Sequence, residues 1–245
     1  MPVQNQFSMS TAPHIVILTG AGISAESGVP TFRDANGLWE NHRIEEVATL
    51  EAFGRNRALV HRFYNLRRAA LATVEPNPAH VALAKLQREY PGRVTLITQN
   101  VDDLHERGGS REVIHMHGEL LKARCAHCDD VISWGLDLNE TLQCGACRRT
   151  GWMRPHIVWF GEVPMRMEEI QSVLNEVDIF IAVGTSGHVY PAAGFVQVAK
   201  FAGARTIEVN MDVTAMSDAF QEHLVGKAGK KVPALVEELL GNARG

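Results

Sequence analysis

The chain has little of what would set it apart from ordinary globular proteins. No apolar run exceeds strand length, far short of the ~20 residues a membrane-spanning helix needs. The opening stretch, MPVQNQFSMSTAPH, has no basic segment leading into a long apolar core, so no secretory signal is expected. Internal repeats and low-complexity linkers are lacking. So is any basic excess: 24 Lys plus Arg against 28 Asp plus Glu give a formal charge of −4, which argues against a general nucleic-acid binder. With 45% hydrophobic and 21% charged residues in a length of 245, the chain reads as one large domain, or a large and a small one.

Cysteine is scarce, yet none is left over. The four cysteines form two C-x-x-C pairs, Cys125/Cys128 and Cys144/Cys147, separated by the fifteen residues Asp129–Gln143. Two such pairs complete a tetrahedral S4 site, which suits zinc at zinc-ribbon spacing. Four protein ligands leave no position for water or substrate, so the metal is expected to be structural and the chemistry to lie elsewhere. Paired thiols without an export signal point to a reducing, cytoplasmic setting.

Short β-branched runs mark four buried parallel strands, at His14–Thr19, Val94–Thr98, Val177–Val183 and Arg205–Asn210. Helical patterns fall at Pro78–Glu89, Met167–Asn175, Ala192–Ala202 and Val232–Leu240. This alternation predicts an α/β fold, a doubly wound Rossmann-like parallel sheet with ligands at the carboxyl ends of its strands. Two excursions interrupt it: the charged, mostly helical Leu38–Val74 and the cysteine-bearing Lys122–Pro155. The expected division is residues 1–33, 77–118 and 156–245 for the sheet domain, and 34–76 with 119–155 for a small helical and zinc-binding domain.

Gly20-Ala21-Gly22-Ile23-Ser24-Ala25 follows the first strand as G-x-G-x-x-A, whose glycines admit a tight turn and close backbone approach to a pyrophosphate. A plain strand-to-helix turn has the same letters. Hydride-transfer sites usually add an acidic residue at the end of a second strand about twenty residues on. Glu40 stands at that distance with no strand before it, and the chain runs instead through a polar Gly/Pro-punctuated loop from Ser27 to Asp34.

Several motifs then agree in order. GAGISAESGVPTFRDANGLW (Gly20–Trp39), TQNVDDLH (Thr98–His105), HMHGEL (His115–Leu120), the cysteine pairs, PHIVWFGE (Pro155–Glu162), GTS (Gly184–Ser186) and EVN (Glu208–Asn210) resemble the sirtuins, NAD-dependent protein lysine deacylases of the silent-information-regulator type. The resemblance runs from Gly20 to about Leu239. It implies that an acyl-lysine carbonyl displaces nicotinamide from NAD, giving lysine and an O-acyl-ADP-ribose, with zinc as a structural ion and acyl-lysine proteins or peptides as partners. It implies His117 as the base, because in H-x-H-G the residue directly before Gly takes that role. His115 would share its face in an extended segment, so alternation alone does not choose. By the same resemblance Asn100 and Asp102 address ribose and the nicotinamide carboxamide, and Gln99 and Val101 line that site. Gly20, Ala21, Gly22, Ala25, Thr31, Phe32, Arg33 and Trp39 lie along the dinucleotide, with Gly184, Thr185 and Ser186 at its phosphates or ribose and Asn210 and Ala228 at adenosine. Read alone, Gln99–Asn100 and Asp102–Asp103 fit turn chemistry and helix capping, Asp103 above all, and the Thr185–Ser186 pair fits a helix cap.

Tyr64 and Arg67, three apart on a predicted helix, share a face. A guanidinium fork with a phenol beside it suits an acyl chain ending in a carboxylate, and Y-x-x-R with the small Ala35 resembles the branch that removes succinyl and malonyl groups. Read alone, Arg62, Arg67 and Arg68 fit a solvated face equally well. Val158–Glu162 is expected to pair with an extended peptide, Val158 at the acyl-lysine amide and Phe160 and Val189 at its apolar stem. Other readings are a deacetylase of broad acyl range, a mono-ADP-ribosyltransferase, an NAD(P) oxidoreductase, which leaves H-x-H-G and the cysteines unexplained, and a zinc-ribbon nucleic-acid module, which the acidic charge disfavours.

Overall fold

The structure is a computed structural model that describes residues 12–30 and 42–243. Along the chain come β1 (Ile15–Thr19), α1 (Ala21–Ala25), α2 (Ile44–Val47), α3 (Leu50–Arg55), α4 (Arg57–Leu71), α5 (Pro78–Glu89), β2 (Val94–Thr98), α6 (Leu104–Arg107), β3 (Val113–His115), β4 (Gly118–Cys125), β5 (Val131–Ser133), β6 (Met153–Ile157), α7 (Met167–Asn175), β7 (Ile179–Val183), α8 (Phe195–Phe201), β8 (Arg205–Asn210), β9 (Glu222–Val225) and α9 (Ala228–Asn242). Six strands make one parallel sheet in the order β3-β2-β1-β7-β8-β9. The chain winds outward from β1 through β2 to β3, then returns to β7 on the other side of β1. Strand order therefore reverses between β1 and β7, and the crevice beyond their carboxyl ends is where such a sheet binds ligands.

Alternation along the strands fills both faces. Ile15, Ile17, Ile181 and Val183 pack with Leu83 and Leu86 of α5 and Val232, Val236 and Leu239 of α9. Val16, Leu18, Phe180 and Ala182 face the other way, onto Ile170 and Leu174 of α7 and Phe195 and Val196 of α8. Each such large side chain, removed from water, contributes about 1.5–3 kcal/mol, so these two layers hold the crevice rigid. α5 starts where Asn77 caps Ala79 N–H at 2.9 Å and Pro78 takes the first helical position.

A second antiparallel sheet, β5-β4-β6, carries the cysteines. α2, α3 and α4 form their own apolar cluster of Val47, Phe53, Val60, Phe63, Tyr64 and Leu71, joined by Leu120, Ile157 and Trp159. The cysteine segment has a smaller cluster, with Ala123, Leu138 and Met153 around Cys125 and Cys144. Some boundaries shift from expectation. The first strand begins at Ile15, the third at Ile179 and the last helix at Ala228. The helix expected at Ala192–Ala202 is a 3-10 turn, Ala192–Gly194, followed by α8.

Candidate active site

The turn after β1 is built against the turn after β7. Gly20 N–H donates to Val183 O at 3.0 Å, and Gly22 N–H to Gly184 O at 2.9 Å. A Cβ on Gly22 would lie 2.7 Å from the Gly184 Cα, and one on Gly184, whose φ is +62°, 2.4 Å from Ile23 N. No other residue fits either place. The strand ends are thereby drawn together and their backbone brought to the crevice floor. Thr185 and Ser186 extend from this turn. Asn210, ending β8, donates to Thr185 O at 2.6 Å, and Ser186 accepts from His188 N–H at 3.4 Å. No helix starts directly after them, so the helix-cap reading of the pair is not met. Ala21 and Ala25 lie in α1, and Ala228 opens α9.

Beyond β2, Asn100 and Asp102 converge on one hydroxyl. Asn100 Nδ2 donates to Ser24 Oγ and to Gly20 O, both at 3.1 Å. Ser24 Oγ donates to Asp102 Oδ2 at 3.0 Å, and Leu104 N–H donates to Oδ1 at 3.2 Å. Burial raises the Asp102 pKa above the ordinary carboxylate value, against those two donors. Asp102 thus serves the α6 turn and the crevice together, while Asp103 holds the N-cap position without a side-chain cap bond. Ser24 was not singled out in the sequence. Behind it lies His80, whose Nδ1 accepts from Asn77 N–H at 3.2 Å; the neutral ring then carries its proton on Nε2, 3.5 Å from Ser24 Oγ. Burial lowers the His80 pKa to about 4, so it stays uncharged.

The two histidines left open by alternation differ in backbone and charge. His115 ends β3, whereas His117 lies in the turn before β4, so the segment is not extended throughout. That turn requires Gly118, at φ +83°, where a Cβ would meet His156 O at 2.0 Å. His115 Nε2 meets Glu106 Oε1 at 2.7 Å and its Nδ1 meets Asn100 O at 3.2 Å. Burial pushes its pKa down, but the Glu106 bond and charge outweigh that and raise it. His117 Nδ1 lies 3.0 Å from Gln99 O, which acts only as acceptor, so the proton sits on Nδ1 and Nε2 keeps its lone pair. Burial lowers the His117 pKa, and the Gln99 bond opposes it only in part. Val101, on the same loop, accepts from Leu120 N–H at 2.8 Å.

On α4 the arginines separate. Arg62 is exposed, Arg67 half-buried, and Arg68 buried with Nε donating to Leu120 O at 3.0 Å. They do not form one solvated face. Tyr64 is fully buried, and its oxygen accepts from Trp159 Nε1 at 2.9 Å. Burial raises its pKa well above the ordinary phenol value, with the nearby Arg67 charge acting in the opposite sense. Val158–Glu162 is not a ladder strand. β6 stops at Ile157, and among the described residues the pairing beyond it is an isolated bridge from Phe160 to Thr49. Four of the segment's N–H groups are engaged within the protein: Val158 to His117 O at 2.9 Å, Trp159 to Glu162 Oε2 at 2.8 Å, Phe160 to Ala48 O at 3.0 Å and Glu162 to Trp159 O at 2.9 Å. Phe160 is exposed and Val158 half-buried.

The four cysteine sulfurs lie within 4.8 Å of one another, with Cys125–Cys147 and Cys128–Cys144 each at 3.7 Å. An S4 tetrahedron about zinc has sulfurs about 3.8 Å apart, given Zn–S bonds of about 2.3 Å. The two C-x-x-C turns are built alike. Cys125 N–H bonds Asp130 O and Cys144 N–H bonds Arg149 O, both at 2.9 Å, while Asp129 and Arg148 take positive φ. The donor set fits zinc. Thr31, Phe32, Arg33, Ala35 and Trp39 lie outside the described residues.

The six-stranded parallel sheet, the interlocked glycine turns at its switch point, the half-buried His117 held by the β2 loop and the four-thiol module together define one class of protein. The chain belongs to the Sir2 family, whose model matches residues 20–191. It is 56% identical over 229 residues to the NAD-dependent protein deacylase of Vibrio cholerae serotype O1, covering 93% of each chain. Among solved structures it resembles a Sir2 homolog–NAD complex with a TM-score of 0.86 and 38% identity, covering 96% of this chain and 92% of that one. It also resembles Sir2 bound to acetylated peptide, with a TM-score of 0.79 and 28% identity over 94% of both chains. Among the described residues, no helix is long and apolar enough to cross a membrane.

Proposed function

We propose that this chain is an NAD-dependent protein lysine deacylase whose preferred acyl groups end in a carboxylate, such as succinyl and malonyl. The deacylase reading is supported by the relatives' names and by the crevice. When bound, NAD supplies the ribose carbon and the nicotinamide leaving group. Gly20, Ala21, Gly22, Ala25, Gly184, Thr185 and Ser186 would hold its phosphates and ribose, and Asn210 and Ala228 its adenosine end. Asn100 and Gln99 would hold the reacting ribose. Asp102 Oδ2 would accept from the carboxamide NH2. His117 Nε2 is the atom that would take a proton from a ribose hydroxyl, because burial keeps this imidazole neutral at working pH. His115, paired with Glu106, is biased toward the cation and suits that task poorly. The substrate peptide would lie along Val158–Glu162. With those N–H groups engaged, it would donate to the segment's carbonyls rather than form a full ladder. The small unit would be residues 34–76 and 119–155, supported by the clusters of α2–α4 and of the cysteine segment, the first of which also takes in Ile157 and Trp159, with zinc as its structural ion.

The observation that carries the acidic-acyl reading is the Tyr64–Arg67 pair, three residues apart on α4, the phenol buried and the guanidinium half-buried beside it. Arg67→Met is expected to lower kcat/KM on a succinyl-lysine peptide by about tenfold or more relative to its acetyl-lysine match, because the carboxylate loses its counter-ion. Mass spectrometry of matched acetyl-, malonyl- and succinyl-lysine peptides with and without NAD measures it. An equal loss on all three would refute the acid-reading role.

A further inference from the structure

Trp159 is the largest fully buried side chain among the described residues, and its indole bonds the proposed acid reader while the preceding residue bonds the backbone of the proposed base. Its neighbour Val158 donates to the His117 carbonyl at 2.9 Å. Its own N–H is taken by Glu162 Oε2 at 2.8 Å. The Arg154 guanidinium lies 3.4 Å from the centre of its ring, and Phe53 packs against it at 5.4 Å between centroids. An indole held on these sides has one polar edge left to direct, and that edge donates to Tyr64 Oη at 2.9 Å.

We propose that Trp159 is a positioning residue for acyl selectivity. An indole N–H only donates, so the Tyr64 hydroxyl proton cannot point at it and is turned away. The indole thereby presets the phenol as a hydrogen-bond donor, the role an acyl carboxylate needs beside Arg67. Without this anchor the hydroxyl proton of the packed phenol would have to be ordered on binding, at a cost to selectivity. The inference rests on the acid-reading role of Tyr64 and Arg67.

The test replaces Trp159 by 3-benzothienylalanine, which keeps the ring shape and exchanges N–H for sulfur, and in parallel makes Trp159→Phe. The readout is the ratio of kcat/KM on matched succinyl- and acetyl-lysine peptides, with melting temperature as the check on folding. Loss of one oriented hydrogen bond should lower that ratio about three- to tenfold. In a Tyr64→Phe background the same replacement should leave the ratio unchanged, because the oxygen it anchors has gone. A proportional loss on both substrates, or an effect of equal size with and without the Tyr64 hydroxyl, would overturn the proposal. A wild-type enzyme with no succinyl preference would instead defeat the acid-reading role itself. An isostere that keeps a preference which Arg67→Met destroys would defeat only the role of Trp159.

Discussion

Removing the Glu162 carboxylate should destabilise this protein more than any single surface charge. Glu162 receives four hydrogen bonds: Arg154 Nη1 at 2.9 Å and Nη2 at 2.8 Å, Arg124 Nη2 at 3.0 Å and the Trp159 N–H at 2.8 Å. Arg154 is 1% exposed, so without Glu162 its charge stays buried, and among the described residues Ile157 O is the one acceptor it keeps, at 2.7 Å. Breaking a buried ion pair by deleting one partner costs about 3–5 kcal/mol. Glu162 keeps 15% of its side-chain surface in water, which favours the lower end, ~3 kcal/mol for Glu162→Ala. For a chain of this size that lowers Tm by about 6–12 °C. Burial alone would raise the Glu162 pKa, but Arg154 and the Trp159 N–H outweigh it and hold it below the ordinary 4.5. The sign follows from that depression. The stabilisation is complete above the unfolded carboxyl's pKa and is lost as pH falls through the lower folded value. The wild-type advantage over Glu162→Gln should therefore be constant at neutral pH and shrink in acid. Urea melts of wild type, Glu162→Ala and the double variant with Arg154→Met measure it. The double variant should recover part of the loss, since no charge is left buried alone. A single-variant loss below ~1 kcal/mol would refute the reasoning, because it would place the cluster among surface pairs of negligible worth.

His117→Ala should abolish acyl transfer, measured as loss of O-acyl-ADP-ribose, while some exchange of free nicotinamide into NAD survives; intact turnover would remove His117 as base. In the wild type, the acid limb of kcat/KM should fall below the ordinary histidine value of 6.5, because only neutral imidazole accepts the proton; a limb above it would contradict the burial argument. Zinc removal should lower the melting temperature outright rather than inhibit reversibly, since the Ala123–Leu138–Met153 cluster is too small to hold the cysteine segment alone. An unchanged Tm after confirmed loss of metal would contradict a structural role.

The parallel sheet was legible because its central strands are buried on both faces and so read as unbroken β-branched runs. Val94–Thr98 and Arg205–Asn210 appear with the expected bounds. The edges were not. β3 and β9 have three and four residues, too few for a period to show. The cysteine module was legible from spacing alone, whereas the strands around it alternate too briefly to read. Of the crevice, the glycines and Asn100–Asp102 follow from motif and offset. Ser24 carries no signal of its own beyond its place between two glycines and an alanine, and its bonds to Asn100 and Asp102 join two loops that meet only in space. Glu106 is likewise nine residues from His115, on a different element.

That pairing explains why two histidines so close in sequence have opposite electrostatics. Both rings give Nδ1 to a backbone carbonyl of the β2 loop, His115 to Asn100 O and His117 to Gln99 O. The shared bond fixes tautomer and leaves each Nε2 to set the charge. Glu106 occupies the first and raises its pKa, whereas burial acts on the second and lowers it. A carboxylate supplied near His117 should make it resemble its neighbour. On the acid-reading role proposed for Arg67 on α4, its cation would neutralise an acyl carboxylate and so spare the imidazole that field. An acid reader lacking that cation would raise the base's pKa and weaken the proton acceptor it serves.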